Sequence, residues 1–62
     1  MHDIHGNKIM FGCLVKPLTG FWRGFEGEVL NIGEGDYPVT VKFEGGETNS
    51  YYPDHLEVIH NQ

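Results

Sequence analysis

Three residues near the start of the chain, His2, Asp3 and His5, have side chains of the kinds that hold divalent metal ions. Nothing in the neighbouring sequence fixes their geometry, so surface histidines on a frayed arm are the favoured interpretation. His55 and His60 stand alone and give an equally weak signal. No Ser/His/Asp or paired-carboxylate set has a spacing that separates it from chance. We therefore predict no catalytic residue, no metal ligand and no cofactor, and we expect that the protein is not an enzyme.

A loop rich in glycine and aromatic residues is the most informative stretch of the sequence. Between Gly20 and Gly27, the rings of Phe21, Trp22 and Phe25 alternate with glycines. Glycines at this spacing permit positive φ and forbid a stable helix. Aromatic rings held in such a loop either pack on a core or contact a partner. For Trp22 both readings are open, an interface anchor or a cap on one end of the fold, whereas Phe25 is expected in the core.

Other side chains could join this loop in contacting a partner. Arg23 pairs either with a carboxylate of a partner or with one of this chain. Tyr51 and Tyr52 are neighbours on a predicted strand, so one ring points inward and the other outward. The outward ring, with Tyr37 and Trp22, either packs as an ordinary strand residue or lines a groove for Pro-rich or extended peptides. The candidate partner-binding residues are Phe21, Trp22, Arg23, Tyr37, Tyr51 and Tyr52.

Size and charge restrict the possible functions. The chain has 62 residues, with 9 acidic and 4 basic side chains and a net charge of −5. One domain of this size has too little mass for a deep substrate cavity within a single protomer. Because affinity for nucleic acid comes largely from cations, direct binding of DNA or RNA is disfavoured. An acidic surface is compatible with simple solubility or with a basic protein partner.

Cellular location is predicted from what the sequence lacks. Cys13 is the single cysteine, so no intrachain disulfide forms and a reducing compartment is favoured. No apolar run approaches ~18 residues. A signal peptide has a basic region followed by an apolar segment, and the N-terminus does not have this pattern. We expect a cytoplasmic protein that does not contact a membrane.

The elements that must position these residues are short strands. No window has apolar residues at helical spacing over three turns without a glycine or proline inside it. The predicted strands cover 13–16, 28–32, 37–43, 48–52 and 56–59, with a 3₁₀ turn over 53–55. The predicted core residues are Val15, Val29, Ile32, Val39, Val41, Phe43, Leu56 and Val58.

The strand pattern predicts an all-β protein. About five short strands joined by one long loop and tight turns favour a single five-stranded SH3-like barrel over residues 12–59. Residues 1–11 form an N-terminal arm or a short hairpin, because Gly6-Asn7 is a turn dipeptide flanked by isoleucines. Residues 60–62 are expected to be a frayed tail.

The chain resembles the photosystem I reaction-centre subunit IV family over about residues 12–59. Phe21-Trp22 is similar to that family's aromatic loop, and Gly27-Glu28-Val29 to its Gly-x-Val strand. The strand Tyr37-Pro38-Val39-Thr40-Val41-Lys42-Phe43-Glu44 is similar to the family's Tyr-Pro-Val-Val-Val-Arg-Phe-Glu strand. This resemblance implies an SH3-like barrel that serves as an accessory subunit of a larger complex.

A second resemblance is to plasmid-borne type II dihydrofolate reductase, which is also an SH3-like barrel. Gly12-x-x-Val15, Gly20-x-Trp22-x-Gly24 and Tyr52-Pro53 are similar to its layout. Its pore, built by a tetramer, reads Val-Gln-Ile-Tyr, and Asn49-Ser50-Tyr51-Tyr52 stands at those positions, matching at Tyr52. This resemblance implies an oligomeric enzyme with Tyr52 near a central pore. A looser likeness, from Gly12-x-x-Val15 and the closing Leu56-Glu57-Val58-Ile59, is to small phage and prophage proteins.

These observations lead to one principal hypothesis and two alternatives. The principal hypothesis is a non-enzymatic barrel that binds another protein, as an accessory subunit or as a phage-encoded modulator of a host protein or complex. The first alternative is the oligomeric enzyme, and a homo-oligomer is compatible with the sequence. The second is a nucleic-acid-contacting barrel in which Trp22 and the tyrosines stack on bases.

Overall fold

The computed structural model describes residues 1–59, which form five antiparallel strands in one sheet. The predicted tail, with His60, lies outside the described residues. The all-β prediction is confirmed, and each strand matches its predicted position with ends shifted by at most two residues. The 3₁₀ turn, Pro53–His55, is also confirmed, since proline presets φ at its first position. The strands are β1 (Leu14–Pro17), β2 (Gly27–Ile32), β3 (Val39–Phe43), β4 (Thr48–Tyr51) and β5 (Leu56–Val58).

The order of strands in the sheet requires strong curvature. The order is β4-β3-β2-β1-β5, so the two edge strands are consecutive in the sequence. Only residues 52–55 separate them, and three of these belong to the compact 3₁₀ turn. Five flat strands would place the edges ~19 Å apart. The connection spans roughly 13 Å, because a 3₁₀ turn rises only ~2 Å per residue. The sheet therefore curls, and its closure into an SH3-like barrel stays a prediction.

A bulge in β2 keeps its apolar residues on the core side of the sheet. Val29 faces Val41 on the neighbouring strand. Three residues later, Ile32 faces Val39, so the register shifts by one residue around Leu30. Strict alternation would turn Ile32 outward. With the bulge, Ile32 packs against the core, half-buried, while Leu30 is exposed.

The core is close to the one predicted from the sequence. Seven of the eight predicted core residues are buried, and Ile32 is half-buried. Two further core residues come from Ile9 in the arm and Tyr51 at the end of β4. Tyr51 faces Val39 across the β3–β4 ladder, so its ring extends the apolar row of β3. The buried core residues are Ile9, Val15, Val29, Val39, Val41, Phe43, Tyr51, Leu56 and Val58.

The N-terminal arm is a short hairpin, as the Gly6-Asn7 turn dipeptide predicts. His2 forms an isolated antiparallel bridge with Lys8. The backbone N–H of Ile9 donates to the carbonyl of Met1 at 3.0 Å. The hairpin carries Ile9 into the core, where its side chain is buried. The arm is therefore part of the folded unit in residues 1–59, and the expectation that it frays is wrong.

A buried carboxylate fastens this arm to the edge strand β5. Asp3 is only 3% exposed. Its carboxylate accepts the backbone N–H groups of Val58 at 2.6 Å, Asn7 at 2.7 Å and His5 at 3.0 Å. Burial acts to raise the pKa of Asp3, but these hydrogen bonds, led by that from Val58, outweigh it and hold the pKa below its ordinary value. Ile4 adds a backbone bond to β5, so the arm covers the outer edge of that strand.

Candidate partner-binding surface

Trp22 anchors the aromatic loop, residues 18–26, on the core. Its indole stacks on the ring of Phe43 at the end of β3, with centroids 4.4 Å apart and planes 6° apart. Phe43 in turn meets the buried ring of Tyr51 edge-on at 6.4 Å. Trp22 is half-buried and packs against the core. Trp22 therefore caps this end of the core, which is one of the two readings that the sequence left open.

Two glycines determine the path of this loop. Gly20 and Gly24 have φ values of +82° and +86°, a region that residues with a Cβ rarely adopt. At these positions the chain folds back, and the N–H of Gly24 donates to the carbonyl of Pro17 at 3.0 Å. The N–H of Phe25 donates to the carbonyl of Trp22 at 2.9 Å. The loop is thus closed by its own backbone bonds, which hold the indole over the core.

Gly27, at the start of β2, leaves room for the ring under Trp22. It pairs with Phe43 across the β2–β3 ladder. A Cβ at Gly27 would lie 2.5 Å from Cγ1 of Val41 and 3.0 Å from Cδ1 of Phe43. Real Cβ atoms do not approach other atoms so closely. The glycine is therefore required chiefly by the packing of Val41 and also by that of Phe43, on whose ring Trp22 stacks.

Two phenylalanines are displayed on either side of this anchored indole. Phe21 is 83% exposed and Phe25 is 55% exposed. Both meet Trp22 edge-on, with centroid distances of 5.1 Å and 5.4 Å. The prediction that Phe25 lies in the core is wrong, because Trp22 already covers the Phe43 ring. We call Phe21, Trp22 and Phe25 the aromatic cluster.

The two adjacent tyrosines point to opposite sides, as predicted. Tyr51 is the inward ring, buried in the core, and is not available to a partner in this state. Burial raises the pKa of its phenol, and a hydrogen bond from Asn49 opposes this effect. Tyr52 is the outward ring, 46% exposed, with its ring 5.7 Å from that of His55.

The structure does not join the outward tyrosines to Trp22. Tyr37 is 63% exposed and precedes the start of β3. Tyr52 directly follows Tyr51, which pairs with Val39, so Tyr52 also lies near the start of β3. Trp22 sits on Phe43 at the other end of that strand, ~13 Å away along the backbone. Among residues 1–59, no aromatic contact links Trp22 to either tyrosine.

A shallow groove of about 310 Å³ lies on the outward face of the sheet, opposite the core. Its central row crosses three strands, because Glu28 pairs with Leu14 on one side and with Lys42 on the other. The sequence indicates this row, because strand alternation places Glu28 and Val29 on opposite faces of the sheet. The groove is lined by Leu14, Glu26, Gly27, Glu28, Lys42, Phe43 and Glu44.

The groove has an excess of negative charge. Three carboxylates and a single ammonium group, that of Lys42, line it. In the described part of the chain the one close contact between a basic side chain and a carboxylate is the hydrogen bond between His5 and Glu57 at 2.9 Å, and neither residue lines the groove. Arg23 is exposed and forms no salt bridge with Glu26 or with any other carboxylate of residues 1–59. The charges of the groove are therefore free to meet those of a partner.

No metal centre is formed within residues 1–59, since no three His, Cys, Asp or Glu side chains lie where they could hold an ion together. The carboxylate of Asp3, one of the residues considered for a metal, is occupied by backbone N–H groups instead. Every buried side-chain nitrogen and oxygen in this part of the protein has a hydrogen-bond partner. The described structure therefore leaves no buried polar group aimed at an absent ligand.

Comparison with models of known protein families gave no match, and neither did comparison with curated proteins. The resemblances to photosystem I subunit IV, to type II dihydrofolate reductase and to phage proteins therefore stay predictions from the sequence. Within residues 1–59 there is no helix with the length and apolar character needed to cross a membrane.

Proposed function

We propose that this protein is a non-enzymatic binding module that recognises another protein through the aromatic cluster. The observation that carries the proposal is that the loop displays aromatic rings to solvent and also holds them against a side chain packed on the core. Phe21 and Phe25 are exposed, yet both contact an indole that is stacked on the core. Rings held in place before binding lose little conformational entropy in a complex. Aromatic side chains of this kind often dominate the affinity of an interface.

The expected contribution of these rings is large for so small a protein. Complete burial of a phenyl side chain is worth about 1.5–3 kcal/mol. Because Phe21 is 83% exposed and Phe25 55% exposed, covering what remains of both rings contributes roughly 2–4 kcal/mol before the cost of association is subtracted. A surface of this kind suits an accessory subunit of a larger complex or a phage-encoded modulator of a host protein.

The experiment is affinity capture from cell lysate with a matched pair of variants. The first variant, F21S/F25S, removes both displayed rings. The control, F11S, removes another ring that is 66% exposed but lies before β1, outside the aromatic cluster. A partner that binds the wild type and F11S, and that loses about 30-fold or more in affinity for F21S/F25S, supports the proposal. Equal capture by all three proteins refutes it.

The two alternative functions have less support in the described structure. In the dihydrofolate reductase resemblance, Tyr51 falls on a residue of the pore motif, but its ring is buried in the core of this chain. For nucleic acid, the groove on the outward face of the sheet has three carboxylates, which repel phosphates. Protein recognition is therefore the function that the geometry supports best.

A further inference from the structure

We infer that the outer edge of β4 pairs with β4 of a second copy of this chain and forms a two-fold symmetric dimer. β4 lies at one end of the sheet, with β3 on one side and no strand of residues 1–59 on the other. In the dimer the two β4 strands run antiparallel and join the two sheets. This contact is separate from the proposed function, because β4 contains no residue of the aromatic cluster.

A row of backbone groups on β4 has no backbone partner within residues 1–59. The N–H of Phe43 donates to the carbonyl of Glu47 at 2.7 Å, so Glu47 faces β3. Because backbone groups alternate in direction along an antiparallel strand, those of Thr48 and Ser50 point away from β3. Both residues are exposed, and the N–H of Ser50 donates locally to Oδ1 of Asn49 at 3.0 Å. A second strand would replace this local bond with a backbone carbonyl.

β4 also lacks the chemical features that protect edge strands from pairing. Charged side chains, prolines and bulges are the usual protection. β4, Thr48–Tyr51, contains no charged residue and no proline, and its register with β3 is regular. Threonine and tyrosine favour extended backbone. The composition of β4 is therefore compatible with the addition of a strand.

The opposite edge of the sheet is covered, and this determines the symmetry of the contact. On β5, the carbonyl of Leu56 accepts the N–H of Ile4 at 3.2 Å. The N–H of Val58 donates to Asp3 at 2.6 Å. The arm therefore blocks a contact between β4 of one copy and β5 of the next, which would repeat into a filament. Pairing of β4 with β4 about a two-fold axis instead closes at two copies.

The outward backbone groups determine the register of the two β4 strands. They are all used when Thr48 of each copy lies opposite Ser50 of the other. The two-fold axis then passes between the two Asn49 residues, whose Cα atoms lie about 4.5 Å apart as a non-hydrogen-bonded pair. In this register Glu47 lies opposite Tyr51. No like charges face each other across the contact, although each chain has a net charge of −5.

The dimer is tested by sedimentation velocity and by NMR over a range of concentrations. A contact four residues long predicts a weak dimer, so the range extends from about 10 μM to about 1 mM. At about 0.15 M salt, where charges are screened beyond ~8 Å, we expect the wild type to pass from monomer to dimer. Over the same range, the amide NMR shifts should change mainly within residues 47–52.

A charge exchange at Asn49 tests the two-fold register, because this residue faces its own copy. N49D and N49K should each raise the Kd at least about threefold, and an equimolar mixture of the two should restore dimerisation. Asn49 is exposed, and a carboxylate at this position still accepts the N–H of Ser50. The controls N31D and N31K make the same changes at an exposed position of the interior strand β2 and should alter the Kd by less than about twofold.

Three results would each refute β4 pairing. They are a wild type that stays monomeric up to about 1 mM, shift changes confined to residues outside β4, and a mixture of N49D and N49K that associates no better than either variant alone. Association that is lost in F21S/F25S but kept in N49D would also refute it, because the aromatic cluster would then form the contact. Association kept in F21S/F25S and restored by the mixture supports β4 pairing, whether or not the aromatic cluster captures a partner. A thermal melt verifies that each variant is folded, and the wild-type NMR dilution decides the question if one is not.

Discussion

Replacing Trp22 with alanine is expected to unfold most of the protein, because this residue caps the core. The change removes the indole that covers Phe43, and with it both edge-on contacts to Phe21 and Phe25. The ring of Phe43, now 2% exposed, would lose its cover on that side. No side chain would then fasten the glycine-rich backbone of the loop to the sheet.

The magnitude follows from the burial of the two rings. Truncation of a buried Phe or Trp to alanine costs about 3–5 kcal/mol. Trp22 is only half-buried, so we expect the lower end of that range, about 3 kcal/mol. A single core in a domain of this size rarely supplies more than about 3–5 kcal/mol of stability. The variant should therefore be largely unfolded at room temperature.

The assay is thermal and urea unfolding of Trp22→Ala followed by circular dichroism, since the intrinsic tryptophan signal is lost. The control is Phe21→Ala, which removes a ring that is 83% exposed and should shift the free energy of unfolding by less than about 1 kcal/mol. A Tm for Trp22→Ala within a few degrees of wild type would refute the reasoning. In that case the indole would contribute to binding alone, and the stacking on Phe43 would contribute little to stability.

Three further predictions concern the backbone and the arm. Gly27→Ala should destabilise by about 1–3 kcal/mol in urea unfolding, because its Cβ would overlap Cγ1 of Val41. Gly24→Ala should cost about 1 kcal/mol by the same assay, since φ at this position is +86° with open space around it. The pKa of Asp3 is lowered in the folded protein, so the folded protein binds this proton more weakly than the unfolded chain does. The stability contributed by Asp3 should be fully present above the pKa of the unfolded state and be lost as the pH falls through the lower pKa of the folded state. Asp3→Asn should lower stability at neutral pH and reduce this acid dependence, as measured by urea unfolding at several pH values.

Much of the local structure could be predicted from the sequence, because strand alternation is a property of the backbone itself. Val39, Val41 and their neighbours alternate with polar residues, so the inward face of β3 follows from a period of two. The same period predicts that Tyr51 and Tyr52 face opposite sides. Pro53 predicts the 3₁₀ turn through its fixed φ. The bulge at Leu30 has no such local signal, since it depends on the register with β3.

Only the tertiary structure decided which aromatic ring covers the core. Trp22 and Phe25 are both apolar rings in a glycine-rich loop, and no periodicity distinguishes them. The choice depends on where the loop folds back over Phe43, which is 21 residues further along the chain from Trp22. The result exposes Phe25 and makes it a candidate for binding. The exposed groove likewise requires β2 and β3 to be paired before Glu44 lies near Glu26 and Glu28.

The sequence by itself determined the class of the fold and most of the core, whereas the tertiary structure determined the role of the arm and the binding surface. Asp3 illustrates the physical reason. Its type and position suggest a surface residue of a frayed arm, yet it accepts a hydrogen bond from Val58, 55 residues away. The local sequence pattern predicts the backbone conformation of residues that are neighbours in the chain. A contact between distant segments exists only after the strands have paired, and so do the surfaces that those contacts build.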